Sequence, residues 1–247
     1  MKPRGARTER PRHPRIVWGL ILLGLALRLA FALGYWEGQP LTHDEREYLA
    51  LGRSIARGDG FTYPADEPAP GTGQRFGRAP AYPLFLAALH VTEPVDHAPR
   101  RVQIAQACLG AAGVWLIAAI AGLAAGPRAA VIAAAVAAVY PPLVAMPAYA
   151  FSETLFSTLA VAAALLLQKG NSPLSSPRPG TAPFVGGVVT AAATLTRPMM
   201  LIFVPLAAAW IARRSGAVRA AIFCAVIVVC ILPWTIRNQH VYGRWIV

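Results

Sequence analysis

Charge is scarce in this chain. Asp, Glu, Lys and Arg make up only 14% of its 247 residues, while 56% are hydrophobic; a soluble domain carries about 25% charged residues. That shortage excludes an ordinary water-soluble globule, and repeated apolar runs of roughly 20 residues match the thickness of a hydrocarbon core. Cysteine is nearly absent. Cys108, Cys224 and Cys230 all fall within apolar runs, which excludes a disulfide framework or a Cys-based metal spacing, and they read as small apolar side chains. Acidic residues number 11 against 23 basic ones, a net charge of +12. The placement of that excess argues against nucleic acid. Lys2, Arg4, Arg7, Arg10, Arg12 and Arg15 precede the first apolar run, and most other basic residues sit in short loops. This is the positive-inside pattern, which also brings basic residues to anionic headgroups.

The N-terminus has features of a signal peptide, including the small-x-small run Ala30-Phe31-Ala32. However, the apolar stretch over 16–36 is longer than an h-region and contains Arg28, so an uncleaved first span is expected. Burying a guanidinium in the outer half of a span costs about 2.5–3.5 kcal/mol on insertion scales. Two solutions are open: Arg28 snorkels to the outer headgroups, or it faces the bundle and meets an anionic ligand.

Beyond the first span lies an acidic, Pro/Gly-punctuated segment, 37–100. Thr42 and Glu45 have capping-box spacing, which predicts a helix from Asp44 to about Arg57, ended by Gly58-Asp59-Gly60. Tyr48, Leu51 and Ile55 form one apolar stripe on it, suited to the membrane interface. Residues 64–79 read as a loop, and 81–90 as a helix too short to span, re-entrant or interfacial. Further spans are expected at 102–124, 129–145, 154–168, 184–196, 199–211 and 217–234, seven crossings in all. Arg128, Lys169, Arg178, Arg213, Arg214 and Arg219 then join the basic tail, 1–15, in the cytoplasm. Asp44, Glu45, Glu47, Asp59, Asp66, Glu67, Glu93, Asp96 and Glu153 stay outside. The expected architecture is an all-α polytopic membrane protein of the cell (inner or plasma) membrane. Its N-terminus is cytoplasmic, its transmembrane domain covers 16–247 and its first outer loop holds interfacial helices.

Several polar residues gather on the outer side. Glu45 is explained by the capping box, and acids in a first helical turn complement the helix dipole. Asp44, beside His43, has the chemistry of a general base toward an acceptor hydroxyl or amine. Glu153 lies where an outer loop becomes a span, where pairing and catalysis are equally open readings. Pro198 suffices to break the apolar run 184–211, whereas Arg197 opposes the positive-inside bias and suits bidentate phosphate binding. Arg237 and Asn238 follow Trp234, a residue of the aromatic-belt type, and read as ligand contacts. Adjacent residues on a helix do not share a face, so His43, Asp44 and Glu45 are not expected to form a metal site.

The order of these pieces resembles the bacterial membrane glycosyltransferases of the dolichyl-phosphate-mannose-protein mannosyltransferase type, glycosyltransferase family 39, with the GT-C architecture. The matching runs are Leu27-Arg28-Leu29, Asp44-Glu45 with Tyr48, Arg78-x-Pro80-x-Tyr82-Pro83, Ser152-Glu153-Thr154-Leu155-Phe156, Leu195-Thr196-Arg197-Pro198, and Pro233-Trp234-Thr235-Ile236-Arg237-Asn238 with Tyr242-Gly243. The resemblance implies a polyprenyl- or dolichyl-phosphate monosaccharide donor, with transfer to a lipid, glycan or protein acceptor at the extracytoplasmic face. It makes Asp44 the catalytic residue with Glu45 in support. It assigns donor-phosphate and substrate binding to Arg78, Tyr82, Glu153, Arg197, Arg237 and Asn238, and no cofactor is expected. Two departures stand out: Pro80-Ala81 replaces a frequent Pro-Pro, and family members continue well past the position of Val247, so an N-terminal portion is expected. The alternative is a non-catalytic membrane protein of the same scaffold that binds a polyprenyl-phosphate lipid or a partner. A small transporter is disfavoured because the spans offer few polar groups near their midpoints.

Overall fold

A computed structural model describes residues 14–63, 78–170 and 181–247. The expected tail over 1–15 (except Pro14 and Arg15), the loop 64–79 (except Arg78 and Ala79), Asp66, Glu67 and Arg178 lie outside the described residues. Within them the chain is helical, with one isolated antiparallel bridge between Pro40 and His97. The order is α1 (Pro14–Ala30, prolonged by a π-helical turn, Phe31–Tyr35), α2 (His43–Arg57), α3 (Ala81–Ala88), α4 (Arg100–Val139), α5 (Pro141–Ala145), α6 (Glu153–Gly170), α7 (Thr181–Thr196), α8 (Phe203–Ser215) and α9 (Ala217–Tyr242). Short 3₁₀ turns, Met146–Ala148 and Pro198–Ile202, lead into α6 and α8. Three helices are long and apolar enough to cross a membrane: Arg15–Tyr35, Arg100–Val139 and Ala217–Tyr242. The coarse expectation, an all-helical membrane protein, holds.

A straight α4 would be about 60 Å long, twice the ~30 Å hydrocarbon core. It is not straight. Gly126 adopts φ 85° and ψ −177°, open to glycine but not to an L side chain, and Pro127 follows. A Cβ on Gly122 would lie 3.2 Å from the Cβ of Ala130, whereas eight residues of continuous helix separate such positions by about 12 Å. The chain therefore doubles back at Gly126, within the break expected between 124 and 129. Ala111, Val114 and Ala118 of the first arm pack with Ala134, Ala137 and Ala138 of the second, and Ile21 of α1 joins them. Small residues allow this close approach of backbones. The second half follows the same rule: Gly187 brings α7 so near α9 that a Cβ there would lie 3.0 Å from the Phe223 carbonyl oxygen.

The outer segment departs from expectation in one respect. The apolar side of helix α2, expected to suit the membrane interface, packs against protein instead. Residues 48–54 are all buried, and Tyr48 and Leu49 share a core with Tyr82, Leu86, Val91, Val102 and Ala150. The cause is Gly52, whose missing side chain lets Leu86 of α3 approach; a Cβ there would sit 2.7 Å from the Leu86 Cβ. The eight residues of α3 span about 12 Å, too short to cross, as expected.

Candidate functional site

The capping box expected from Thr42 and Glu45 is present. Glu45 N donates to Thr42 Oγ1 at 3.4 Å, and Glu45 Oε2 accepts from both Thr42 N and Thr42 Oγ1 at 2.9 Å. Its other oxygen accepts from Ala150 N at 2.8 Å. Glu45 is only 2% exposed, so it fastens the start of α2 to the turn before α6. Tyr48 adds a second tie to the same turn, its hydroxyl 3.2 Å from Ser152 Oγ. Helix α2 is thus anchored with Asp44 facing outward.

Asp44 is 53% exposed and pairs with Arg78. The same guanidinium donates through Nε to Glu47 Oε2 at 2.5 Å and lies 4.9 Å from the Tyr48 ring centroid. Burial alone would lower the Arg78 pKa, but the hydrogen bonds to Asp44 and Glu47 and the neighbouring Glu47 charge outweigh it and raise it. Arg78 therefore stays charged. Glu47 is a site member that the sequence reading counted among the outer acids without selecting. Its signal was its spacing, three residues after Asp44 and four after His43, which puts all three on one helix face. Ligand atoms of His43, Asp44 and Glu47 lie within 4.8 Å of one another, but Arg78 already supplies positive charge to both carboxylates.

Tyr82 is fully buried. Its hydroxyl donates to Gln106 Oε1 at 3.2 Å, and its ring meets Tyr48 edge-on at 4.9 Å. Burial raises its pKa well above that of an ordinary phenol. Here Tyr82 supports the acidic helix from below. Glu153, at the start of α6, pairs with Arg197 at 2.9 Å where α7 ends. Two residues selected separately from sequence thus form one ion pair.

Arg237 near the end of α9 is half-buried among three aromatic rings. Its guanidinium lies 4.8 Å from the Trp234 centroid, 5.3 Å from Phe61 and 5.6 Å from Tyr242. It donates to the Phe61 carbonyl and to Asn238 Oδ1, both at 3.0 Å. Asn238 is buried and donates to the Ile246 carbonyl at 3.0 Å, so it holds the chain beyond α9. Tyr63 stands between this cluster and Arg78. Burial, the charge of Glu47 and the nearby Tyr242 push its pKa up to about 12 against an opposing pull from Arg78. The structure thus gathers Asp44–Arg78–Glu47, Glu153–Arg197 and Arg237–Asn238 at one end of the helices, as three adjoining clusters rather than one contact network. No protein-family model, curated protein or solved structure matches the chain.

Proposed function

We propose that this chain acts as a membrane glycosyltransferase, moving a monosaccharide from a polyprenyl- or dolichyl-phosphate donor to an acceptor at the extracytoplasmic face. The observation that carries the reading is Asp44. It is an exposed carboxylate at the start of a helix whose residues 48–54 are buried, held by Arg78 at the end of the bundle where Arg197 and Arg237 arrive from other elements. Among the described residues its Oδ2 accepts no hydrogen bond, which leaves an oxygen for the acceptor proton. In the proposed step the acceptor oxygen bonds to the anomeric carbon as its proton passes to Asp44. The bond from that carbon to the phosphate oxygen breaks, and the departing phosphate takes the electron pair. Arg197 and Arg237 are the guanidinium groups suited to the charge that develops there. The same reading has seven crossings (α1, the two arms of α4, α6, α7, α8 and α9) in the cell membrane. Arg128, Lys169, Arg213, Arg214 and Arg219 then face the cytoplasm with the N-terminus.

The test is release of labelled sugar from a panel of polyprenyl-phosphate sugars by reconstituted protein, beside Asp44→Asn. Turnover that disappears in the variant is the expected result; equal turnover in both removes Asp44 from the chemistry. The ion pair with Arg78 favours a second reading, in which Asp44 is a structural tie and the scaffold binds a polyprenyl-phosphate lipid or a partner without turnover. Folded protein that binds such a lipid yet transfers no sugar would select it.

A further inference from the structure

The four arginines singled out from the sequence settle in different ways. Arg28 is 1% exposed, which overturns the snorkelling alternative. It donates to the carbonyls of Gly24 at 2.8 Å, Ala137 at 3.1 Å and Ala138 at 3.4 Å. Gly110 leaves room for it, since a Cβ there would lie 2.6 Å from Arg28 Nε. Arg197 meets one carboxylate, that of Glu153, and Arg237 meets aromatic rings and neutral oxygens. Arg78 is shared between two carboxylates, those of Asp44 and Glu47.

Left to one carboxylate, a guanidinium favours a fork–fork pair, in which two parallel N–H groups engage both oxygens. Arg78 does not make one. Its Nε and Nη2 both meet Glu47 Oε2 at 2.5 Å, while only Nη2 reaches Asp44, and there only Oδ1. His43 Nδ1 approaches the same Asp44 oxygen at 3.8 Å, so among the described residues Oδ2 is left open. The Glu47 side chain is 15% exposed and that of Asp44 53%. Attraction to the less hydrated carboxylate is screened less, which gives Glu47 the firmer hold. The Tyr48 ring, 4.9 Å away, covers one face of the guanidinium. Charge agrees with this geometry: two carboxylates against one guanidinium leave one negative charge uncompensated. Glu47 lies three residues after Asp44 and shares its helix face, so it reaches Arg78 without any shift of α2.

We propose that Glu47 is a positioning residue: it divides Arg78 with Asp44 and so keeps Asp44 Oδ2 free for the acceptor proton. This role rests on the reading of Asp44 as the base, but the division of Arg78 is measurable without turnover. The full chain, in phosphatidylcholine nanodiscs, is treated with a water-soluble carbodiimide and glycinamide, and amidation of Asp44 is read by peptide mass spectrometry. In Glu47→Gln the guanidinium is expected to close on both oxygens of Asp44. Amidation then falls roughly tenfold, as for one added hydrogen bond to a charged group. In Glu47→Gln/Arg78→Gln it is expected to return to the native level or above. Sugar transfer from the polyprenyl-phosphate panel is expected to lose kcat in Glu47→Gln with KM unchanged, because Glu47 acts through Asp44 and not on the donor. Amidation unchanged in folded Glu47→Gln overturns the proposal, whatever the transfer assay shows. A fall that persists in the double variant assigns the effect to something other than Arg78 and overturns it equally. A fall in amidation with transfer undiminished, or in a folded chain that transfers no sugar, overturns the transferase reading of Asp44 and the role of Glu47 in it, while the divided ion pair stands.

Discussion

Replacing Glu45 separates a structural from a catalytic role for the acidic pair. In Glu45→Ala, Thr42 N and the buried Ala150 N lose their acceptor together. Losing the capping interaction costs about 0.5–2 kcal/mol, and an unsatisfied buried N–H about 1–3 kcal/mol. The sum is roughly 1.5–5 kcal/mol, centred near 3. For a chain of this size each kcal/mol lowers Tm by about 2–4 °C, so a fall of about 6–12 °C is expected. Glu45→Gln keeps one carbonyl acceptor but turns an amide donor toward one of the N–H groups, so it belongs between the two. Thermal unfolding in detergent, followed by tryptophan fluorescence, reads the series. The order native, Gln, Ala is expected, with any loss of turnover following the loss of folded protein. Unchanged Tm in Glu45→Ala together with abolished transfer would refute this reasoning and return Glu45 to the chemistry.

Gly110→Ala places a methyl against the Arg28 guanidinium at 2.6 Å and is expected to destabilise by about 1–3 kcal/mol in chemical unfolding. Gly113→Ala, whose Cβ would meet its nearest neighbour at 3.7 Å, serves as the tolerant control. Cysteines at 122 and 130, in a background with Cys108, Cys224 and Cys230 replaced by alanine, are expected to form a disulfide within one chain, because their Cβ positions nearly touch. A continuous α4 would leave them uncrosslinked in the gel-shift assay. The pKa of Tyr63 is raised from 10 to about 12, so its neutral form favours the fold. That stability is complete below pH 10 and is lost as pH rises toward 12. Tyr63→Phe is therefore expected to lose less stability than the native chain between pH 10 and 12, and one late phenolate transition should vanish at about 295 nm. An unchanged alkaline titration would refute the burial of Tyr63 first, and with it the influence of Glu47.

The capping box at Thr42 and Glu45, the end of α2 at Gly58, the chain reversal at Gly126-Pro127 and the shortness of α3 were all legible in the sequence. Each depends on residues within a few positions of one another or on the backbone freedom of one glycine. The apolar runs likewise marked a membrane protein, because helix length and composition alone meet the thickness of a bilayer. Partnership across the chain was not legible. Nothing near Glu45 announces that its second oxygen will hold Ala150 N, 105 residues away. Similarly, Glu153 and Arg197 each looked anomalous alone, yet only the packing of α6 against α7 makes them a pair. Tyr82 was selected for its place in a motif and proved to be core, because an 8-residue helix shows too little periodicity to reveal which face is covered. The burial of Arg28 could be decided only by the tertiary structure. Its cost depends on whether Gly24, Gly110 and the carbonyls of Ala137 and Ala138 close around it, and three separate helical segments must meet before that is settled.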